Sequence, residues 1–234
     1  MRILVADDDL VSRLAMEDVL RQCGNPEIVF AEDGAAAWAA LDTERCFDLV
    51  CLDVRMPPPD GLALVARLRA APALKRVPAM LITSTADRAT VLDATRADLQ
   101  GFLVKPVGPD TVIRILRVLA QLDAGILEPV DAATARLRVD AARHARYVGA
   151  FMQQVQGLAA LALQLAAPDA GPQARTVFTQ KADACRTAAL TLGAPRIEQL
   201  ISDALALLAE GRPGAERAMA QAVYWLGRVG GRVA

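Results

Sequence analysis

Leu49-Val50-Cys51-Leu52-Asp53-Val54-Arg55-Met56-Pro57 is the stretch from which the fold is read. Residues 48–52 are a short apolar run of the kind a buried strand shows, and a carboxylate, Asp53, stands directly behind it. Working outward, residues 2–6, 27–31, 78–83 and 101–104 repeat that character. Between the runs lie segments with helical spacing, Leu10 to Gln22, Gly34 to Leu41, Gly61 to Ala70, Arg88 to Ala97 and Asp110 to Leu122. Each begins near Asp, Gly or Ser, and most end near Gly or Pro. Strand and helix alternate five times with short connections, which predicts a parallel sheet with helices on both faces. The expected class over residues 1–122 is α/β, a doubly wound (βα)5 sheet whose ligands sit at the carboxyl ends of the strands.

After residue 122 the strand signals stop. Asp123-Ala-Gly-Ile-Leu-Glu-Pro-Val-Asp131 contains Gly and Pro and follows neither period, so it is the expected linker. Residues 132–234 read as a second, all-α domain like a four-helix bundle, with helices over 132–166, 173–192, 195–210 and 214–229. The clearest stripe is Ile197, Leu200, Ile201, Ala204, Leu205 and Leu208.

Composition removes several function classes. Hydrophobic residues make up 54% of the chain, yet Arg, Asp or Gln residues interrupt the apolar runs well short of the roughly 20 residues of a membrane span. Acidic residues follow the first apolar run at once, so no signal peptide is expected and the predicted location is the cytoplasm. Cys23, Cys46, Cys51 and Cys185 are scattered, far from the single histidine, which argues against a disulfide framework or a zinc site. Asp and Glu outnumber Lys and Arg by 19 to 14 in residues 1–130, and the remainder carries 12 basic against 8 acidic residues. That mild asymmetry, with Arg dispersed among alanines, makes nucleic-acid binding unlike the reading.

The chemistry concentrates at the strand ends. Asp7, Asp8 and Asp9 follow the first strand and Asp53 the third, so their carboxylates converge on one edge of the sheet. Clustered carboxylates repel unless a cation neutralises them, and hard oxygen donors with room for water suit Mg2+. An Asp at a strand-to-helix turn also serves as a plain helix N-cap, and that alternative stays open. Thr83 and Lys105-Pro106, ending strands four and five, bring a hydroxyl and a fixed positive charge to the same edge.

Leu4-Val-Ala-Asp-Asp-Asp9, the Leu49 to Pro57 stretch with Asp60-Gly61, Thr83 and Lys105-Pro106 together resemble the CheY-like receiver domain of bacterial response regulators, over about residues 1–120. The resemblance implies a flavodoxin-like fold and makes Asp53 the nucleophile that takes a phosphoryl group from a phosphohistidine. It implies that Asp8 and Asp53 bind Mg2+ with the backbone carbonyl of Arg55, that Asp7 acts through a metal-bound water, and that Lys105 and Thr83 meet the phosphoryl oxygens. Phe102 stands where the family's switch aromatic lies, and is also accounted for as a core aromatic of a buried strand. Pro57-Pro58-Pro59 and Asp98-Leu99-Gln100 depart from the family's usual turns and bear on the amplitude of any switch.

In the second half, Phe178 to Ala194 resembles a histidine-phosphotransfer domain, whose pattern is His-x-x-Lys-Gly and then Leu-Gly-Ala. Aligning Leu192-Gly193-Ala194 puts Arg186 on the family's Lys, Thr187 on its Gly, and Asp183 where the phosphorylated His should stand. This resemblance implies a degenerate phosphotransfer-like helical domain used for binding; a generic output or dimerisation bundle is the alternative. His144 is the one remaining phosphorylatable imidazole, and otherwise reads as a solvated or capping-face residue. The expected function is a two-component response regulator with a non-catalytic, protein-binding output, partnered by a sensor histidine kinase or phosphotransfer protein and capable of forming a homodimer. A phosphorelay protein using His144 and a nucleic-acid-binding regulator are the rivals.

Overall fold

Strands built from Val, Ile and Leu without polar interruption must be covered on both faces, which a parallel sheet between helices achieves. In the computed structural model, which describes residues 1–43, 46–84, 98–167 and 171–230, such strands form one sheet. The described residues divide into two compact units, Met1–Ala120 and Gln121–Ala234.

The first unit contains β1 (Arg2–Ala6), α1 (Leu10–Gln22), β2 (Glu27–Ala31), α2 (Gly34–Leu41), β3 (Leu49–Asp53), α3 (Gly61–Ala70), β4 (Ala79–Thr83), β5 (Gly101–Val104) and the start of α4 (Pro109–Ile126). All strand pairs are parallel, in the order β2-β1-β3-β4-β5. The expected helix Arg88 to Ala97 lies outside the described residues. Leu4, Ala6, Val50, Leu52, Ala79 and Leu81 point to one face, where Ala37 and Leu41 of α2 and Leu64, Val65 and Leu68 of α3 complete a core. By the two-residue period the other face carries Ile3, Val5, Cys51, Met80 and Ile82, all buried. Met16 and Leu20 of α1 and Ile115 of α4 are buried in turn.

Two strand expectations need correction. β3 begins and ends one residue later than its apolar run, because Asp48 is used outside the strand, its carboxylate accepting the Arg2 peptide N–H at 2.7 Å. Asp53 is therefore the last residue of β3, paired with Ile82. The runs at 27–31 and 101–104 are not buried throughout: both are edge strands, leaving Phe30 and Val104 exposed.

The second unit begins with the end of α4 and continues with α5 (Val130–Leu137), α6 (Ala141–Leu165), α7 (Pro172–Thr191), α8 (Pro195–Ala209) and α9 (Ala215–Gly230). The four longer helices pack in a closed ring, α6 on α7, α7 on α8, α8 on α9 and α9 back on α6. Phe151, Phe178, Ile201, Met219 and Trp225 fill its core. The single helix expected over 132–166 is two helices. Arg138 ends α5 in a left-handed conformation, φ 55°, and Asp140 starts α6 by accepting the Arg143 peptide N–H at 2.6 Å. The segment expected as a linker is helical through Ile126, and Ile126 and Leu127 are buried in this core. Gly125 is a helical residue there, and the Arg196 side chain lies over it, with Cδ 2.9 Å from where a Cβ would stand. That arginine stacks on Trp225, 4.2 Å from the ring centroid. Asp123 is ion-paired to Arg228.

Leu192-Gly193-Ala194 has a structural task. Gly193 ends α7 with φ 65°, its carbonyl accepts the Glu128 peptide N–H at 2.8 Å, and Arg136 bridges from the Glu128 carboxylate to the Thr191 carbonyl at 3.0 Å. His144 overturns its expected place on a solvated face. It lies one turn before Val148 on the inward stripe of α6, it is fully buried, and neither ring nitrogen has a hydrogen-bond partner. Among the described residues no helix is long and apolar enough to cross a membrane.

Two stability measurements check this packing. His144→Leu keeps the bulk and removes two unsatisfied polar atoms, so denaturant unfolding should show a gain of about 1–2 kcal/mol; a loss would reveal a polar partner for the ring. Gly193→Ala forces a side chain onto a left-handed backbone with Glu128 Cβ 2.6 Å away, and should cost about 1–3 kcal/mol in the same assay.

Candidate functional site

The three consecutive aspartates after β1 do three different things. Asp9 is the helix cap: its carboxylate accepts the Ser12 peptide N–H at 3.0 Å and the Ser12 hydroxyl at 2.8 Å. Those bonds, the hydroxyl's first, hold its pKa below the ordinary value. The capping alternative is thus satisfied by Asp9 and leaves its neighbours for other work. Asp7 is fully buried. Its Oδ1 accepts the Asp9 peptide N–H at 3.0 Å, and its own peptide N–H donates to the Ala31 carbonyl at 3.2 Å. Asp8 is exposed.

Asp53 reaches the same place because β1 and β3 are neighbours in the sheet. Asp7, Asp8 and Asp53 each offer an oxygen, and these oxygens lie within 4.8 Å of one another. Lys105, immediately after β5, is fixed by its peptide N–H donating to the Thr83 carbonyl at 2.8 Å. Its ammonium extends back across β4 to Asp7 Oδ2 at 2.8 Å and Asp53 Oδ2 at 3.0 Å. Thr83 ends β4 and is buried.

Burial raises the Asp53 pKa. The hydrogen bond from Lys105 opposes that rise, the Asp7 charge adds to it, and the Lys105 charge and the Arg55 peptide N–H again oppose it. For Lys105 burial alone lowers the pKa, but the hydrogen bonds and charges of Asp7 and Asp53 together outweigh it and the net shift is upward. The ammonium is therefore fixed positive charge through the neutral range.

The donor set fits a hard divalent cation. Three carboxylates meet with one lysine between them, so a single ammonium faces three acidic groups whose oxygens lie within 4.8 Å of one another. The negative charge in excess of that one lysine is what a hard divalent ion with oxygen ligands neutralises. A cleft lined by Asp7, Val11, Ser12, Met16, Lys105 and Val107 opens beside it.

The residues singled out in the sequence divide into two groups. Asp7, Asp8, Asp53 and Lys105 come together, with Thr83 on the adjoining strand end and the Arg55 peptide beside Asp53. Phe102 does not join them: it is half-buried against the α2 and α3 core, on the edge strand. Asp183 is exposed on α7 and paired with Arg186 at 3.2 Å, and His144 is buried in the second unit. The sequence reading missed Arg13, whose guanidinium donates to the Asp7 carbonyl at 2.6 Å, and the reason for Gly61. A Cβ on Gly61 would overlap the Asp53 carbonyl oxygen and lie 2.9 Å from its carbon. Helical spacing from Asp9 marks Arg13 as one turn inside α1, but nothing local shows that it turns back to the acids.

Residues 3–117 match the family model described as the response regulator receiver domain. The chemotaxis protein CheY1 of Helicobacter pylori is 32% identical over 119 residues, which is 51% of this chain and 96% of that protein. CheY-3 of Vibrio cholerae is 35% identical over 106 residues, 45% of this chain and 81% of that protein. Among solved structures, CheY4 of Vibrio cholerae, crystallised at low pH, aligns with 27% identity and a TM-score of 0.46, covering 50% of this chain and 97% of that one. Through its first half the chain belongs to the response regulator receiver family.

Proposed function

We propose that the protein is a phosphorylation-controlled response regulator in which Asp53 accepts a phosphoryl group from the phosphohistidine of a sensor kinase or phosphotransfer protein. The observation that carries this reading is the Lys105 ammonium lying between Asp7 and Asp53. It opposes the rise that burial imposes on the Asp53 pKa while placing positive charge where phosphoryl oxygens would gather. Asp8, Asp53 and the Arg55 backbone carbonyl would hold Mg2+, with Asp7 acting through a bound water. A Mg2+ ion there supplies further positive charge to the transferring phosphoryl group.

Asp53 attacks phosphorus, forming an acyl phosphate as the nitrogen–phosphorus bond of the donor breaks. Lys105 keeps its proton throughout and pairs with the phosphoryl oxygens in place of the free carboxylate. Thr83 donates its hydroxyl to one of them, which draws the end of β4 inward. Phe102, half-buried on the edge strand, is the aromatic to which we assign the switch role.

The second unit acts as a protein-binding helical output. Its exposed Asp183, beside Arg186 and Thr187 on α7, takes the place of a phosphorylatable histidine in a phosphotransfer-like helix and presents a fixed negative charge there. A relay through His144 is not part of this proposal, since the ring is fully buried.

Intact-mass measurement and site mapping after incubation with Mg2+ and a small phosphodonor test the reading. One phosphoryl group on wild type, none on Asp53→Asn, and a change in size-exclusion behaviour for wild type only are expected. An unmodified wild type would make the acidic site structural. A second expectation concerns pH. Asp53 must lose its proton to react, and its pKa is raised, so phosphorylation should fail on acidification at a higher pH than an ordinary carboxylate would dictate. Lys105 lowers the Asp53 pKa, so Lys105→Ala should move the acid limb of the phosphorylation rate further upward; Asp7→Asn, which removes a like charge, should move it downward.

A further inference from the structure

Residues 54–60 leave the end of β3 and return to the start of α3. Val54 is held by its peptide N–H, which donates to the Ile82 carbonyl at 2.9 Å. Asp60 is held as the cap of α3, accepting the Ala63 peptide N–H at 2.8 Å. Gly61 lies directly against the Asp53 carbonyl, so both ends of the turn share one short base. The arc between them includes Arg55, whose peptide N–H bonds to the Asp53 carboxylate, and runs on into Pro57-Pro58-Pro59.

That arc meets another element. Gly34, the first residue of α2, is buried and packs on the Pro59 peptide. A Cβ at Gly34 would overlap the Pro59 carbonyl oxygen and lie 2.8 Å from its carbonyl carbon and 2.9 Å from its Cγ. Gly34 is not among the residues with positive φ, so glycine is there for space and not for torsional freedom. Neither side of the contact yields easily. α2 is anchored by Asp33, which accepts the Ala36 peptide N–H at 2.7 Å. Three successive prolines have fixed φ angles, so a push at Pro59 is passed along the arc toward Arg55.

We propose that Gly34 is a positioning residue for the metal and phosphoryl site: through Pro59 it sets the place of the turn that offers the Arg55 carbonyl and peptide N–H beside Asp53. This rests on the reading of Asp8, Asp53 and the Arg55 carbonyl as the cation site. Backbone groups that orient metal ligands typically alter metal affinity about 10- to 100-fold when disturbed, and Gly34→Ala should weaken binding on that scale.

The test is uptake of Mn2+ by the full chain, followed as loss of the free-ion electron paramagnetic resonance signal and competed with Mg2+. Wild type, Gly34→Ala, Ala37→Gly and Asp53→Asn are compared, each checked for folding by circular dichroism. Ala37, one turn further into the same helix, is buried in the core of α2 and α3 and a glycine there adds no atom that could push on Pro59, so Ala37→Gly should lower the melting temperature and leave the Mn2+ Kd as in wild type. Gly34→Ala should raise that Kd. A Gly34→Ala protein that folds and binds Mn2+ like wild type overturns the proposal. Should Gly34→Ala not fold, Pro59→Gly keeps the glycine contact but frees the arc; weakened Mn2+ binding supports the proposal and unchanged binding overturns it. Equal uptake by wild type and Asp53→Asn would remove the cation site itself, a failure separate from that of Gly34 alone.

Discussion

The Lys105 ammonium between two buried carboxylates is the interaction on which the first unit's site depends. Asp7 directly follows β1 and Asp53 ends its neighbour β3, so the sheet order forces two like charges together in a buried place. Burying one such charge without a partner costs several kcal/mol, and burying two side by side costs more. Lys105 comes from the end of β5, two strands from β3, a separation of roughly 9–10 Å at ordinary strand spacing. Only a long, flexible cation anchored by its own backbone can cover that gap, and the hydrogen bond from its peptide to Thr83 supplies the anchor.

Around this pair the local chemistry separates roles that look alike in sequence. Three successive aspartates differ because the chain turns between strand and helix there. One carboxylate is taken by the helix end, one is driven inward, and one is left in water. Arg13 fixes the turn from the helix side by bonding the Asp7 carbonyl. On the β3 side, two glycines and three prolines make the facing turn nearly rigid, by close approach in the first case and fixed torsion in the second. Carboxylates on adjacent strand ends, flanked by stiff turns, are suited to hold a small hard ion whose geometry tolerates little drift.

The second unit obtains its order differently. No catalytic constellation was expected in it, and its conspicuous features serve packing. The Gly193 turn receives Glu128 and Arg136, Arg196 covers Trp225, and Asp123 pairs with Arg228, so the residues just after the receiver are part of this helical core. A buried imidazole without a partner is the one polar liability on the inward face of α6, one turn before Val148.

The sequence by itself determined the alternation of strands and helices, the parallel sheet, and the edge on which Asp7, Asp8, Asp53, Thr83 and Lys105 gather. Those properties follow from local periodicity and from the rule that parallel strands put their carboxyl ends on one side. Three helices of the first unit, Leu10–Gln22, Gly34–Leu41 and Gly61–Ala70, run as their caps and spacing predict. Only the tertiary structure decided which aspartate caps α1, that the outer strands are half exposed, that Gly125 lies inside a helix, that His144 is buried, and that Gly34 rests on Pro59. Each of these depends on what a residue distant in sequence places alongside. A glycine required for close approach and a glycine that breaks a helix read the same in one dimension, because the difference between them lies in the neighbouring element and not in the residue.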